Sequence, residues 1–217
     1  MDSTNDVNFY QREFWAGEFG HSFIDRRNSL DKINSYYEEK TGISISQIFN
    51  NFFSRIDRHS KILELGCNIG LNLSILQKMG FFNLHGLEIN KKAFEIALTN
   101  NPAITFINSS IESYEPKEEK YDVVFTAFVL QHQNPLVLDY IVQKIIRLTN
   151  KYIFGLEYYS DKLTAINYRG HSNVMWKQNF PLLFLKASKN IKMVKEEKFY
   201  YKNENLCDVG YLLMKTY

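Results

Sequence analysis

KILELGCNIG, residues 61–70, sets an apolar run against an acid, two glycines and an asparagine. The run reads as a short buried strand, and behind the turn Leu71, Ile75, Leu76 and Met79 recur at helical spacing as far as Gly80. A strand, a glycine-bearing turn and a helix together aim backbone N–H groups and the positive end of a helix dipole at a ligand. The dinucleotide fingerprint G-x-G-x-x-G requires glycine at three places. Counted from Gly66, those places hold Gly66, Asn68 and Leu71, which disfavours an NAD site. The register acid-x-Gly-x-Gly-x-Gly fits better, with Glu64, Gly66, Asn68 and Gly70, and only the asparagine departs from it. Asn is among the few non-glycine residues that enter left-handed backbone conformations readily, so the departure is mild.

Upstream of this turn, Ile45, Ile48, Phe49, Phe52, Phe53 and Ile56 form one helical stripe. Downstream, residues 83–89 read as a second strand, and Asn90 can cap a helix over KKAFEIALTN. Residues 104–108 make a third strand and 121–128 a fourth. Asn134-Pro135 then supplies a cap and a first-turn proline to LVLDYIVQKIIRL. Residues 152–158 give a fifth strand, and KMVKEEKFYY and VGYLLMKTY a closing pair. Alternating strands and helices of this length predict parallel strands with helices on both faces. The early strands are apolar without alternation, as a sheet buried on both sides requires. Two pieces fall outside this core. One is an aromatic N-terminal cap, residues 1–44, and the other an insertion at about 158–176 without clear periodicity. The core proper is then 45–217.

The 217 residues fit one domain with an added subregion, and 45% hydrophobic against 23% charged residues is a globular balance. Aromatics reach 15%, with 14 Tyr and 17 Phe. Most fill the core, but a tyrosine-rich wall also suits an amphipathic ligand. The net charge is only +2, and EPKEEK (115–120) and KMVKEEK (192–198) alternate in sign. They read as solvated faces, so no nucleic-acid partner is implied. The N-terminal MDSTNDVNF lacks the basic and apolar regions of a signal peptide, and no apolar run approaches the ~20 residues of a membrane span. Cys67 and Cys207 make no disulfide framework and no metal-ligand spacing, so the expected setting is a reducing cytoplasm with no metal.

In NLHGLEIN, Glu88 ends the second strand about 20 residues beyond the turn, where a carboxylate can accept both ribose hydroxyls. ELGCNIG, GLEIN, INSSIES and DVVFTAFVLQH, in this order and spacing, resemble the successive motifs of class I S-adenosylmethionine (SAM)-dependent methyltransferases over residues 62–157. That resemblance implies a Rossmann-like α/β fold: a mostly parallel central sheet, helices on both faces and an antiparallel closing strand. It implies SAM as cofactor and S-adenosylhomocysteine as product. Gly66, Cys67, Asn68 and Gly70 would pass the methionine part, Glu88 would hold the ribose with Ile89 beside it, and Ser110 would meet the adenine amino group. Ile111 would pack on the adenine ring, and Thr126 would open the segment 126–128 beside the sulfonium. N-terminal lids in this fold reach the amino-acid end of the cofactor, which brings in Trp15 and Arg27. Phe14 and Phe19 would be the lid's apolar face or simply helix packing. FWAGEFGHSFIDRRN, ELGCNIGLNL, and EYY followed by YRGH are also similar to methylases found with pseudaminic acid biosynthesis, a group associated with bacterial surface and flagellar glycans. This narrower likeness implies a sugar or glycan-precursor substrate.

Methyl transfer from a sulfonium is an in-line displacement, and alignment alone can supply up to ~7–11 kcal/mol. An alcohol acceptor must also lose a proton, and a positioned base adds about 10²–10⁴-fold. His132 and His171 are candidate bases on segments expected at the carboxyl edge of the sheet, with Tyr158 beside them. His132 could instead orient its loop through a backbone bond, and His171 could be a surface residue. His85 falls within the second strand and reads as structural. Tyr158 and Tyr159 either bond a sugar or pack, while Arg27, Arg169 and Lys177 could meet a carboxylate or phosphate. The leading expectation is O-methylation of a sugar or other small molecule. The alternatives are N-methylation of another small molecule, protein or RNA, and a SAM-binding protein without turnover.

Overall fold

The computed structural model describes residues 8–26, 28–116 and 120–216. Three helices lead the chain: α1 (Phe9–Ala16), α2 (Glu18–Arg26) and α3 (Leu30–Thr41). Next come α4 (Ile45–Phe53), β1 (Ile62–Leu65), α5 (Leu71–Lys78), β2 (Leu84–Glu88), α6 (Lys91–Asn100), β3 (Thr105–Asn108) and β4 (Tyr121–Ala127). Two short 3-10 turns, Leu130–His132 and Pro135–Val137, precede α7 (Leu138–Leu148) and β5 (Thr149–Tyr158). The chain closes with β6 (Thr164–Ala165), β7 (Trp176–Lys177), α8 (Phe180–Ala187), β8 (Ile191–Tyr200) and β9 (Cys207–Lys215).

Seven strands form one sheet in the order β3-β2-β1-β4-β5-β9-β8. It is parallel from β3 to β5; β9 then runs antiparallel to β5, and β8 antiparallel to β9. This is the Rossmann-like architecture expected from the motifs, closed by the predicted strand pair. The order reverses at β1, whose Leu65 pairs with Leu87 on one side and Thr126 on the other. In open α/β sheets the ligand crevice lies at the carboxyl ends of the strands on either side of such a switch point.

One sheet face is covered by α4, whose Ile45, Ile48, Phe49, Phe52 and Phe53 are all buried. Ser44 and Gln47 close its start as a capping box. Phe49 and Phe53 stack at 5.5 Å, and both meet Phe125 and Phe154 of the sheet edge-on. The opposite face takes Ile141, Val142 and Ile145 of α7, together with Phe180 and Phe184 of α8. Helix α8 is absent from the sequence reading, although Asn179 caps it and Pro181 occupies its first turn, the same signal that stands ahead of α7.

The N-terminal cap divides in two. Helix α3, capped by Ser29 and stopped by left-handed Gly42, delivers Ile33 and Tyr37 into the main core, whereas Asn8, Gln11, Trp15 and Phe23 of the α1–α2 region face the crevice. The insertion contains the β6–β7 ribbon, two pairs long and too short to show a period. Strand β5 starts at Thr149, earlier than expected, because Thr149 pairs with Tyr121 beyond a register shift in which β5 runs from Thr149 to Tyr152 while β4 runs from Tyr121 to Val123. Among the described residues, no helix is long and apolar enough to cross a membrane.

Candidate active site

The β1–α5 turn takes left-handed backbone angles at alternate residues: Gly66 at φ 71°, Asn68 at 49° and Gly70 at 79°. At Gly66 an added Cβ would stand 2.7 Å from Val129 Cγ2, so this position is closed to side chains by space as well as by φ. Asn68 takes the left-handed form and stabilises it locally, its Oδ1 accepting from the Ile69 amide at 2.8 Å. The amides of Asn68 and Asn90 donate to the two oxygens of Glu88, each at 2.7 Å. Burial raises the Glu88 carboxyl above its ordinary pKa, and these amides pull it back. Asn90 makes three further contacts: its Oδ1 accepts from Ala93 at the start of α6, and its Nδ2 donates to the carbonyls of Trp15 and Ala16. The acid, the start of α6 and the end of α1 are thereby joined.

These groups open into a cavity of ≈ 200 Å³. Of the residues singled out in the sequence, Trp15, Gly66, Cys67, Asn68, Glu88, Ile89, Ser110, Ile111, His132 and Tyr158 line it. Gly70 instead turns the chain into α5, and Thr126 is buried within β4, between Leu65 and Gly155. Ser110 spends its hydroxyl locally, accepting from the Ser113 amide at 3.1 Å. His171 lies outside the wall, exposed, with its ring against Phe14 and Phe19 at 5.0 and 5.2 Å. Arg169 is also exposed, its guanidinium 5.9 Å from the Tyr168 ring centre, and Lys177 pairs in the β6–β7 ribbon. Tyr159 bonds Asp161 and carries Lys198 over its ring. Arg27 lies outside the described residues.

His132 is buried in the wall, 4.4 Å from the Trp15 ring. Its Nδ1 faces the Val174 carbonyl at 2.9 Å and must carry the proton, which leaves Nε2 as an acceptor 3.3 Å from the Gln131 amide nitrogen. Burial lowers its pKa to about 4, so the imidazole is neutral and a weak base at neutral pH. His132 therefore has the orienting bonds of the backbone-anchored alternative.

Several residues at the site are not singled out by the sequence motifs. Glu157, fully buried at the end of β5, accepts from the amides of Val129, Leu130 and Gln131 at 3.1, 3.1 and 3.4 Å. It pins the turn after β4 against Gly66, and burial pushes its pKa up to about 7. An acid closing a strand beside that turn was the available clue. Asn8, Gln11, Arg12, Tyr168 and Tyr201 also reach the cavity, from positions far apart in the chain. Asn8 bonds Glu112 and Gln133, Arg12 sits 3.6 Å from Glu112, and the Gln11 amide donates to the Asn173 carbonyl at 2.9 Å. Two buried atoms in this roof, Trp15 Nε1 and Gln11 Oε1, have no hydrogen-bond partner among the described residues.

A cramped glycine turn and a buried acid at the next strand end fit a nucleoside, and Ile111 lines the same cavity. Residues 62–151 match a family described as a methyltransferase domain. No curated protein matches the chain at a significant level. Among solved structures, magnesium protoporphyrin IX methyltransferase (ChlM) from Synechocystis PCC 6803 with bound SAM aligns over 100% of both chains, at 11% identity and a TM-score of 0.70. The 1,6-didemethyltoxoflavin-N1-methyltransferase of Burkholderia thailandensis aligns over 93% of this chain and 92% of its own, at 12% identity and a TM-score of 0.64. The [4+2]-cyclase SpnF aligns over 80% and 81%, at 10% identity and 0.65. At such identities the likeness is one of fold, and it spans different chemistries. Residues 62–151 therefore match a methyltransferase-domain family, and the mostly parallel seven-stranded sheet that contains them has the Rossmann-like fold of these methyltransferase structures.

Proposed function

We propose that this protein is a SAM-dependent methyltransferase that methylates a hydroxyl of a sugar or glycan precursor, of the nonulosonic class, in the cytoplasm. The observation that carries the reading is one continuous cavity joining the glycine turn and Glu88 to a chamber walled by Tyr158, Tyr168 and Tyr201. SAM, when bound, supplies a methyl group on a sulfonium. The chain's own residues do the rest. Glu88 accepts the ribose hydroxyls, Asn68 and the left-handed turn leave room for the chain of the cofactor, and Ile111 covers the adenine. Trp15 Nε1 and Gln11 Oε1 offer a donor and an acceptor from the roof. Such groups are costly to bury unsatisfied, and a polar ligand relieves that cost. Tyrosine rings pack on the apolar faces of a sugar while their hydroxyls bond its edges. The segments behind the narrower sugar-methylase resemblance, in α1–α2 and after β5, are in contact through Phe14, Phe19, Tyr168 and His171, and of these Tyr168 lines the cavity.

Calorimetric titration with S-adenosylhomocysteine tests the cofactor, with NADH as control. Wild-type protein should bind the thioether and ignore the dinucleotide. Glu88→Ala, which loses charge-assisted bonds of ~1.5–3 kcal/mol, should weaken binding by about 10–150-fold. Binding of NADH instead, or an unchanged Glu88→Ala, would overturn the cofactor reading. Transfer of labelled methyl from SAM to nonulosonic sugars and their nucleotide forms, against amines, peptides and RNA, then tests the acceptor.

A further inference from the structure

The chamber has a feature that cofactor binding does not use. Asp208, on β9 and fully buried, is paired across the sheet with Tyr158. Its Oδ2 accepts from the hydroxyls of Tyr37, on α3, and Tyr201, the latter at 3.1 Å. Tyr201 and Tyr158 line the cavity, whereas Asp208 and Tyr37 stand behind the wall. The cluster abuts the end of β4: the Phe128 ring lies 5.9 Å from Tyr37 and 6.3 Å from Tyr158. The next residue, Val129, backs Gly66 of the cofactor turn. A buried carboxylate is costly, and as mere packing an apolar group of similar size would serve as well. What an apolar group could not do is connect a proton acceptor to the cavity.

We propose that Asp208, acting through the Tyr201 hydroxyl, is the proton sink for the acceptor hydroxyl. This rests on the reading of the protein as an O-methyltransferase. The acceptor O–H donates to Tyr201 Oη, which itself donates to Asp208 Oδ2. As the new carbon–oxygen bond forms and the carbon–sulfur bond breaks, the acceptor's proton passes to Tyr201 and Tyr201's own proton to Asp208. Bound SAM would supply the methyl group together with its positive charge, and the proton that reaches Asp208 would neutralise the carboxylate in the same event. Tyr201 stays neutral throughout, as it must, since burial and the neighbouring Asp208 hold its phenol well above the ordinary value. His132, neutral and held by Val174 and Gln131, is left to orient.

The decisive comparison needs no acceptor. SAM and S-adenosylhomocysteine differ by the methyl group and its positive charge, so their affinity ratio reports whether a negative charge is felt at the reacting end. Asp208→Asn keeps an oxygen for both tyrosines. It should bind S-adenosylhomocysteine as wild type does and SAM about tenfold more weakly. Tyr201→Phe leaves Asp208 charged, so its ratio should stay at the wild-type value or rise. The melting temperature and the thioether affinity report folding in each variant. An unmoved ratio in Asp208→Asn, or a fall in Tyr201→Phe, overturns the proposal. With a hydroxyl acceptor in hand, Tyr201→Phe should slow single-turnover transfer about 10²-fold at unchanged SAM affinity. Tyr37→Phe, behind the wall, should retain transfer and lower only the melting temperature. Full transfer by Tyr201→Phe also overturns the proposal. Wild-type transfer to nitrogen alone defeats the O-methylation reading, whereas the affinity ratio bears on Asp208 directly.

Discussion

Glu64 shows how one residue of the opening stretch couples folding to pH. It is fully buried in β1, with Oε1 accepting from Asn72 at 2.7 Å and Oε2 without a hydrogen-bond partner among the described residues. Burial pushes its pKa up to about 8, opposed by the Asn72 bond and reinforced by the charge of Glu88. Below the ordinary value of 4.5 the carboxyl is protonated whether the chain is folded or not. Between there and about 8 the folded state keeps a proton that the unfolded state has released, so stability falls as pH rises through that window. His132 works in the opposite sense: its pKa is lowered to about 4, so stability falls as pH drops from 6.5 towards that value. Glu64→Gln isolates the first effect. In urea unfolding at a series of pH values, the variant should gain on wild type as pH rises from about 5 to about 8, and a constant difference would refute the assignment. Asn68 gives a second prediction. Its φ of 49° matches the left-handed conformation read from the sequence register. Asn68→Gly should therefore leave the affinity for S-adenosylhomocysteine within about threefold of wild type. In Asn68→Val, the left-handed penalty of roughly 1–2 kcal/mol should surface as weaker binding or a lower melting temperature. If the valine variant binds and melts like the glycine one, φ at this position is not limiting.

At the scale of elements, the sequence is informative wherever a stripe or cap repeats a local rule. The helix over residues 91–100 follows from Asn90, α7 from its own apolar stripe, and β1 from an apolar run with no alternation, and all three stand in the structure. Asn134-Pro135 instead opens the 3-10 turn Pro135–Val137, and α7 begins at Leu138 without a side-chain cap. The ribbon β6–β7 has two residues a strand, and no periodicity can show over that length. The roof of the cavity was illegible for a different reason. Gln11 meets Asn173, and Asn8 meets Glu112 and Gln133, across more than a hundred residues of chain. Local pattern holds no trace of such partners. Asn90 ties the two levels together, because it caps α6 and bonds the Trp15 carbonyl. Asn90→Ser separates the roles. Serine caps nearly as well as asparagine, so the melting temperature should change little. A serine hydroxyl cannot cap α6 and also span to Trp15, so residues 9–26 should exchange amide hydrogen faster and S-adenosylhomocysteine should bind more weakly. Asn90→Ala loses the cap as well and should cost a further ~1 kcal/mol in unfolding free energy. Unchanged exchange in the serine variant would mean that the lid is held by its aromatic contacts alone.

Across the whole molecule, two aromatic assemblies are expected to divide stability from ligand binding. The first is the layer of Phe49, Phe52, Phe53, Phe125 and Phe154 between α4 and the sheet, with Phe154 within 5.4 Å of the three α4 rings and fully buried. The second joins α1 and α2 to the insertion: Phe14 stacks on Phe19 at 4.1 Å, and His171 closes on both. The first was legible as the stripe from Ile45 to Ile56. The second was not, since the insertion shows no period and its contacts with α1 and α2 join residues about 150 positions apart in the chain. Removing a buried phenylalanine deletes its transfer free energy and leaves a cavity, so Phe154→Ala should lower the unfolding free energy by ~3–5 kcal/mol. Its urea transition should stay cooperative with the midpoint displaced. Phe14 is only partly buried, packed on Phe19 and His171 beside the roof, where truncation removes less burial, so Phe14→Ala should shift unfolding by only about 0.5–1 kcal/mol. Its effect belongs in the ligand: with the roof loosened, S-adenosylhomocysteine should dissociate faster while its association rate holds. Stopped-flow binding and urea unfolding on the two variants thus give opposite patterns, stability lost at Phe154 and residence time lost at Phe14. If Phe14→Ala unfolds as readily as Phe154→Ala, the cap is part of the folding core, and the ligand is held by the glycine turn and Glu88 without a roof.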